Sequence, residues 1–198
     1  MSEYVVGVDE VGRGSLVGSA IVCAFRSQNS FFQELPFDVI DSKKINKKKR
    51  EEIYNYFKLN RGFNFNYQII VGKKKFIEKF NIHNVVLQCM KQSIILLSKK
   101  TDTVIIDGKF IPNGMEDYKV KALVKADDKI NQVSAASIIA KVYRDKLITK
   151  LHLKDNVYQW NKNAGYGTKN HLDAIYSHGV SKFHRTTYQP INLSLIHI

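Results

Sequence analysis

The stretch Tyr4-Val5-Val6-Gly7-Val8-Asp9-Glu10-Val11-Gly12-Arg13-Gly14-Ser15 sets the reading of the rest of the chain. Tyr4 to Val8 is a short apolar run rich in β-branched residues that stops at a polar break, which predicts a buried strand. Two adjacent carboxylates, Asp9 and Glu10, stand where that strand ends, and a glycine-flanked arginine follows at once. Neighbouring strand residues point to opposite faces. On a regular strand Asp9 and Glu10 therefore cannot both serve one site through their side chains, and the second must act from a bend or through its backbone carbonyl. Gly12 and Gly14 supply such a bend and let the backbone approach a ligand closely. Arg13 between them adds a fork of donors suited to phosphate. Taken alone, the string reads equally well as a strand running into a polar turn.

A chain of 198 residues fits one domain, or one domain with a small appendage, and its 44% hydrophobic content is ordinary for a globular core. The net charge of +13 is not ordinary. It points to a polyanionic partner, with nucleic acid first. A membrane surface is the runner-up, but no basic amphipathic anchor stands out. The longest early apolar stretch, Leu16 to Phe25, is far short of the ~20 residues a bilayer demands. The N-terminus shows no signal-peptide design. Cys23 and Cys89 both fall inside apolar patterns and read as buried free thiols in a reducing compartment. The expected location is the cytoplasm, and a monomer is the default.

Along the chain, Leu16 to Phe25 predicts a second strand pairing with the first, and Arg26 to Leu35 a polar loop. The run from Lys43 to Arg50 holds six basic residues. Such a run is ordinarily a solvated helix start, and a phosphate-facing patch is the alternative. Asn46 reads as the N-cap of a helix through Phe57. Phe63 to Val71 predicts a strand, broken by Gly72-Lys73-Lys74-Lys75. Ile82, Val85, Val86, Cys89, Met90, Ile94 and Leu97 recur at helical spacing. Thr103 to Ile106 predicts a fully buried strand and Tyr118 to Lys125 another. Val133 to Leu151 reads as a helix whose small residues, Ser134 to Ser137 and Ala140, let it lie close against a sheet. Thr168 caps a last helix that Gly179 ends. This order describes a mixed α/β domain with a helical C-terminal portion.

Four carboxylates fall in suggestive places: Asp9 and Glu10 after the first strand, Asp107 after the buried strand, and Asp127 just before the small-residue helix. Any one of them alone is most simply a cap or turn residue. Acids at strand ends converge at one edge of a sheet, where open α/β folds place ligands. A cluster of buried carboxylates needs a counter-charge, and a divalent cation held by hard oxygens is the obvious one. Tyr166, set between Gly165 and Gly167, reads either as a tyrosine closing a helix entry or as an exposed aromatic able to stack on a sugar or base.

Several ordered strings resemble the type 2 ribonucleases H, the ribonuclease HII family. They are Gly7-Val8-Asp9-Glu10-Val11-Gly12-Arg13-Gly14, Asp41-Ser42-Lys43-Lys44, Ile106-Asp107-Gly108, and Lys125-Ala126-Asp127 continuing through Ser134 to Asp145. Gly165-Tyr166-Gly167-Thr168-Lys169-Asn170-His171 and His184-Arg185-Thr186-Thr187-Tyr188-Gln189-Pro190 extend the resemblance to about residue 190. Val11 and Ser15 depart from it, where the family usually has alanine and proline. The resemblance implies an RNase H-like mixed sheet flanked by helices, as one catalytic domain spanning 1–198, with a core of about 1–150 and a helical portion of about 151–198. It implies an endonuclease that hydrolyses the RNA strand of RNA–DNA hybrids. It also implies cutting on the 5′ side of ribonucleotides embedded in duplex DNA, leaving 3′-hydroxyl and 5′-phosphate ends.

The metal-site acids implied are Asp9, Glu10, Asp107 and Asp127, with Lys125 fixing the register on Asp127 rather than Asp128. They would hold two divalent ions, magnesium or manganese, about 3.5–4 Å apart. Gly12, Arg13 and Gly14 would read the 2′-hydroxyl through backbone groups, Tyr166 would stack on the adjoining deoxyribose, and Lys43 and Lys44 would contact phosphates. Two rivals remain. Ribonuclease HIII shares the fold, but its first motif lacks Gly-Arg-Gly and it carries an extra N-terminal domain. A non-catalytic nucleic-acid-binding protein explains the charge but not four placed acids. No protein partner is legible after Pro190.

Overall fold

The computed structural model describes residues 3–62 and 64–194. Phe63, where the third strand is expected to begin, His197 and the end of the chain after Ser194 lie outside the described residues. Five strands form one mixed sheet: β1 (Tyr4–Val11), β2 (Ala20–Gln28), β3 (Phe65–Gly72), β4 (Thr103–Asp107) and β5 (Lys119–Leu123), in the order β3-β2-β1-β4-β5. β1 pairs antiparallel with β2, and β2 with β3, while β1–β4 and β4–β5 are parallel.

The helices are α1 (Lys47–Leu59), α2 (Lys74–Phe80), α3 (Ile82–Leu97), α4 (Asn131–His152), α5 (Trp160–Asn163), α6 (Lys169–His178) and α7 (Ile191–Ser194). They cover both faces of the sheet, and strand alternation divides the core accordingly. Ile21, Cys23 and Phe25 of β2 meet α1 and α4 through Ile53, Phe57, Ala135 and Ile139. Val22 and Ala24, the intervening residues, join Val6, Val8, Val104 and Ile106 against Val86, Met90 and Ile94 of α3. This is the expected RNase H-like layering.

α4 lies tight against β1 at Gly7. A Cβ there would collide with the backbone of Gln132 and Val133, so the absence of a side chain sets the distance at which α4 crosses the sheet. A third cluster, with Leu16, Val17, Ile148, Tyr158, Trp160 and Ile175, seats the C-terminal portion on the far end of α4. Both cysteines are free and buried. Among the described residues no helix is long and apolar enough to cross a membrane.

Four local expectations need correction. β2 begins at Ala20, not Leu16. Leu16 to Ser19 instead forms a bridge to the C-terminal portion, with the Leu16 N–H donating to the Gly165 carbonyl (2.8 Å) and the Arg185 N–H to that of Leu16 (2.7 Å). β2 runs on to Gln28, and Asn29–Glu34 is a 3₁₀ turn whose Phe31 packs on Phe25, so the polar loop is in fact ordered by aromatics. Lys74 and Lys75, read as breakers, open α2, which Asn81 separates from α3 at φ +63°. The last strand spans Lys119–Leu123 rather than Tyr118 to Lys125, and Lys125 adopts φ +58° in the turn that follows.

Candidate active site

Asp9 and Asp107 leave the carboxyl ends of two parallel strands in step, because Val8 pairs with Ile106 one residue earlier. Both side chains therefore emerge on the α4 face. Asp127 joins them from the 3₁₀ turn Ala126–Asp128 that precedes α4. Ser134 Oγ of the first turn of α4 donates to the Asp127 carbonyl (2.7 Å), and the Ala126 N–H donates to Asp107 Oδ1 (2.8 Å). The result is a trio, Asp9, Asp107 and Asp127, each with a ligand oxygen within 4.8 Å of the others. Asp128 stays outside it, exposed and paired with Lys44.

Glu10 remains on β1, where the charge of Asp107 acts on it and its own charge acts on Asp9. Its N–H donates to Asp9 Oδ1 (2.7 Å) and its Oε1 meets Arg13 Nη1 at 3.4 Å, while Oε2 is buried without a hydrogen-bond partner. It is not one of the trio, and the chain bends at Gly12, one of the two glycines expected to supply the bend.

The electrostatics are those of a site short of positive charge. Burial, then the charge of Glu10 and of Asp107, hold the Asp9 carboxyl well above its ordinary range, against an opposing hydrogen bond from Ser137. Burial also raises Glu10, with Arg13 pulling it down and Asp107 pushing it up. Asp107 is raised by burial and by Asp127, against the Ala126 N–H and Lys43. Among the described residues the trio's ion-pair partner is Lys43, whose Nζ lies 3.2 Å from Asp127 Oδ2. Three clustered carboxylates against one exposed ammonium, plus an orphaned oxygen on Glu10, form a hard-oxygen donor set that fits a divalent cation such as magnesium or manganese.

Lys43 and Lys44 sit in a turn ahead of α1, not on the helix. Asp41 closes that turn by accepting from the Lys43 N–H (2.9 Å), and Arg50 of α1 braces it by donating to the Ser42 carbonyl (2.8 Å). The basic run therefore divides into two lysines at the acids and a solvated first turn of helix.

Beyond Glu10 the chain turns at Gly12, whose φ of +92° and whose contact with the Arg144 side chain both exclude a Cβ. The Arg13 carbonyl accepts from Arg185 Nη1 (3.0 Å) and the Tyr188 hydroxyl (2.9 Å). Ser15 Oγ, fully buried, donates to the Gly165 and Val17 carbonyls. The loop is thus fastened to the Gly165–Gly167 turn, and the half-exposed Tyr166 ring flanks Gly14. Arg144, entirely buried on α4, donates to the Ala164 carbonyl (3.1 Å) and stands over the Tyr166 ring at 5.5 Å.

The structure thus brings together Asp9, Asp107, Asp127 and Lys43, and separately Gly12, Arg13, Gly14 and Tyr166, with Glu10 linked to the second group by Arg13. Arg144, Arg185 and Tyr188 carried no assignment in the sequence reading. The available signal for Arg144 was an arginine just beyond the small and apolar stretch Ser134 to Val142.

The fold is of the ribonuclease H type. The solved ribonuclease H2 from Pyrococcus horikoshii OT3 has the same fold, with TM-score 0.77 and 24% identity over 96% of each chain. Bst-RNase HIII in complex with Mn2+ superposes with TM-score 0.75 at 17% identity, covering 99% of this chain but 70% of that one. The chain belongs to the ribonuclease HII family, whose model matches residues 6–191. Ribonuclease HII from Pelagibacter ubique (strain HTCC1062) is 46% identical over 190 residues, covering 96% of this chain and 98% of the relative.

Proposed function

We propose that this chain cuts duplex DNA on the 5′ side of an embedded ribonucleotide, as well as the RNA strand of RNA–DNA hybrids, leaving 3′-hydroxyl and 5′-phosphate ends. The observation that carries the reading is the proximity of two devices: a carboxylate trio short of counter-charge, and a backbone loop at Gly12–Gly14 backed by an aromatic ring. Residues 1–150 would hold the acids and residues 151–198 would supply the aromatic wall, acting as one catalytic unit.

Asp9, Asp107 and Asp127, with Glu10 beside them, would hold two divalent ions. When bound, such ions activate the attacking water and stabilise the leaving oxygen. The chain's own residues do the rest. Burial of Asp9 and Asp127 keeps their carboxylates in a water-poor setting where charge interactions are strong. Lys43 balances Asp127. The 2′-hydroxyl is the group that separates ribose from deoxyribose, and the backbone groups of Gly12, Arg13 and Gly14 would read it. The Tyr166 ring, open on its outer side, would stack on the neighbouring deoxyribose and so demand DNA on that side. Lys43 and Lys44 would contact phosphates.

A reading without catalysis would leave the raised, clustered carboxylates unexplained. Asp107→Asn separates the two: the enzyme loses turnover by about 10²-fold or more while keeping affinity for a hybrid duplex. A pure binding protein would bind equally well and show no cleavage in either form.

A further inference from the structure

His171 and His184 are both fully buried behind the Gly165–Gly167 turn, packed with Trp160 and Tyr158. Their hydrogen bonds determine where each proton sits. The Ser181 N–H donates to His184 Nδ1 at 2.9 Å, so the His184 proton is on Nε2. His184 Nε2 faces His171 Nε2 at 3.1 Å, and Trp160 Nε1–H donates to that same His171 atom at 2.9 Å. His171 Nε2 is therefore an acceptor, and its proton lies on Nδ1. Nδ1–H points at the Tyr166 carbonyl, 2.9 Å away. That carbonyl also accepts from the Thr168 N–H (2.8 Å), and the Tyr166 N–H is held by the Asn163 carbonyl (2.9 Å). Burial keeps both rings neutral: it pushes His184 down to about 4, with His171 adding to it, and it lowers His171 against the Tyr166 carbonyl.

We infer that His171 is a positioning residue for substrate selection: its Nδ1–H, locked in one tautomer by Trp160 and His184, anchors the Tyr166 backbone so that the ring is held against Gly14 where the deoxyribose stacks. The inference rests on the stacking reading of Tyr166 given above. It assigns a task to the His171-His184 pair that core packing alone does not require, because an apolar pair of the same size would fill the space without aiming a donor at Tyr166.

Two isosteric substitutions divide the imidazole. His171→Gln places an acceptor near the Nε2 position and leaves the Tyr166 carbonyl without its donor. His171→Asn keeps a donor near Nδ1 and abandons Trp160 and His184. Trp160→Phe removes one donor onto Nε2 and leaves the tether, and so serves as a stability control. Steady-state cleavage of a DNA duplex with one ribonucleotide is measured for each full-length variant with magnesium or manganese, beside thermal melts. H171Q is expected to raise KM roughly fivefold, the value of one neutral hydrogen bond, with kcat little changed. H171N and W160F are expected to melt earlier and keep the KM of the parent.

Tyr166→Ala should raise KM at least as much as H171Q, and H171Q should add nothing in that background. Equal KM changes in H171Q, H171N and W160F would reduce His171 to a packing residue and overturn the inference. If Y166A raises KM and H171Q does not, the stacking reading stands and the anchoring role falls. If Y166A leaves KM untouched, the stacking reading fails and takes the anchoring role with it. The tautomers are tested without mutation by long-range 15N–1H correlation spectra: His171 protonated on Nδ1 and His184 on Nε2 are expected. His171 protonated on Nε2 would leave no donor for Tyr166 and sink the proposal.

Discussion

Asp9 sets stability against function. It is buried, it adjoins Glu10, and it faces Asp107, and each of these raises its carboxyl pKa. Because the folded value lies above the ordinary one, the stabilising contribution of Asp9 is complete at pH below about 4 and is lost as pH rises through the folded value. Asp9→Asn removes the charge and keeps an acceptor for the Glu10 N–H. In metal-free protein at neutral pH the variant should melt above the parent, by about 2–4 °C for each kcal/mol recovered. The gap should shrink as pH falls toward 4, while cleavage drops about 10²-fold or more at any pH. Calorimetry with chelator, run in parallel with an activity assay, reads both. Gly12 is a second single-residue test. Gly12→Ala meets both the left-handed backbone and the Arg144 side chain, so a loss of about 1–3 kcal/mol is expected, together with weaker discrimination between ribose and deoxyribose at the cleavage site.

At the scale of elements, the site is made by register. The parallel pairing of β1 with β4 sets Asp9 beside Asp107, and the close approach of α4 at Gly7 brings the Asp127 turn to them. β1 and β4 were legible because β-branched apolar runs ended at acids, and α3 and α4 because their apolar and small residues kept helical spacing. The trio was legible only as a set, since no single acid differs from a cap residue. What escaped the sequence was created by chain segments distant in order. Leu16 to Ser19 reads as strand by composition, yet its backbone groups bond to Gly165, Phe183 and Arg185. Arg144 and Arg185 had no assigned place in the sequence reading, and both are fully buried against carbonyls. Glu10 adjoins Asp9 in sequence but is not one of the trio, and the bend expected from Gly12 and Gly14 falls at Gly12. The C-terminal elements also have their own pH signature. The His184 pKa, down to about 4, lies under its ordinary 6.5, so its contribution to stability is full above about 6.5 and is lost as pH falls toward 4. His184→Asn, which keeps an acceptor for the Ser181 N–H, should flatten that part of the stability profile in thermal melts between pH 4 and 7.

At the scale of the whole molecule, a charge of +13 surrounds an acidic trio. On the proposed function the basic exterior would bring in the polyanion, and the acids would need metal before the phosphate could approach them. Binding should therefore weaken steeply with salt, the logarithm of the affinity falling by about 0.9 per phosphate neutralised. Lys43→Ala should lower that slope by about 1, as read by fluorescence anisotropy on a hybrid duplex. The most direct measurement uses an end-labelled DNA duplex carrying one ribonucleotide, incubated with the full-length protein and magnesium or manganese. The account predicts a single cut on the 5′ side of the ribonucleotide, abolished by chelator and by Asp107→Asn. Cleavage of a uniform RNA–DNA hybrid with none of that duplex would contradict junction reading by Gly12–Gly14 and Tyr166, and no cleavage of either substrate with either metal would contradict the account at its centre.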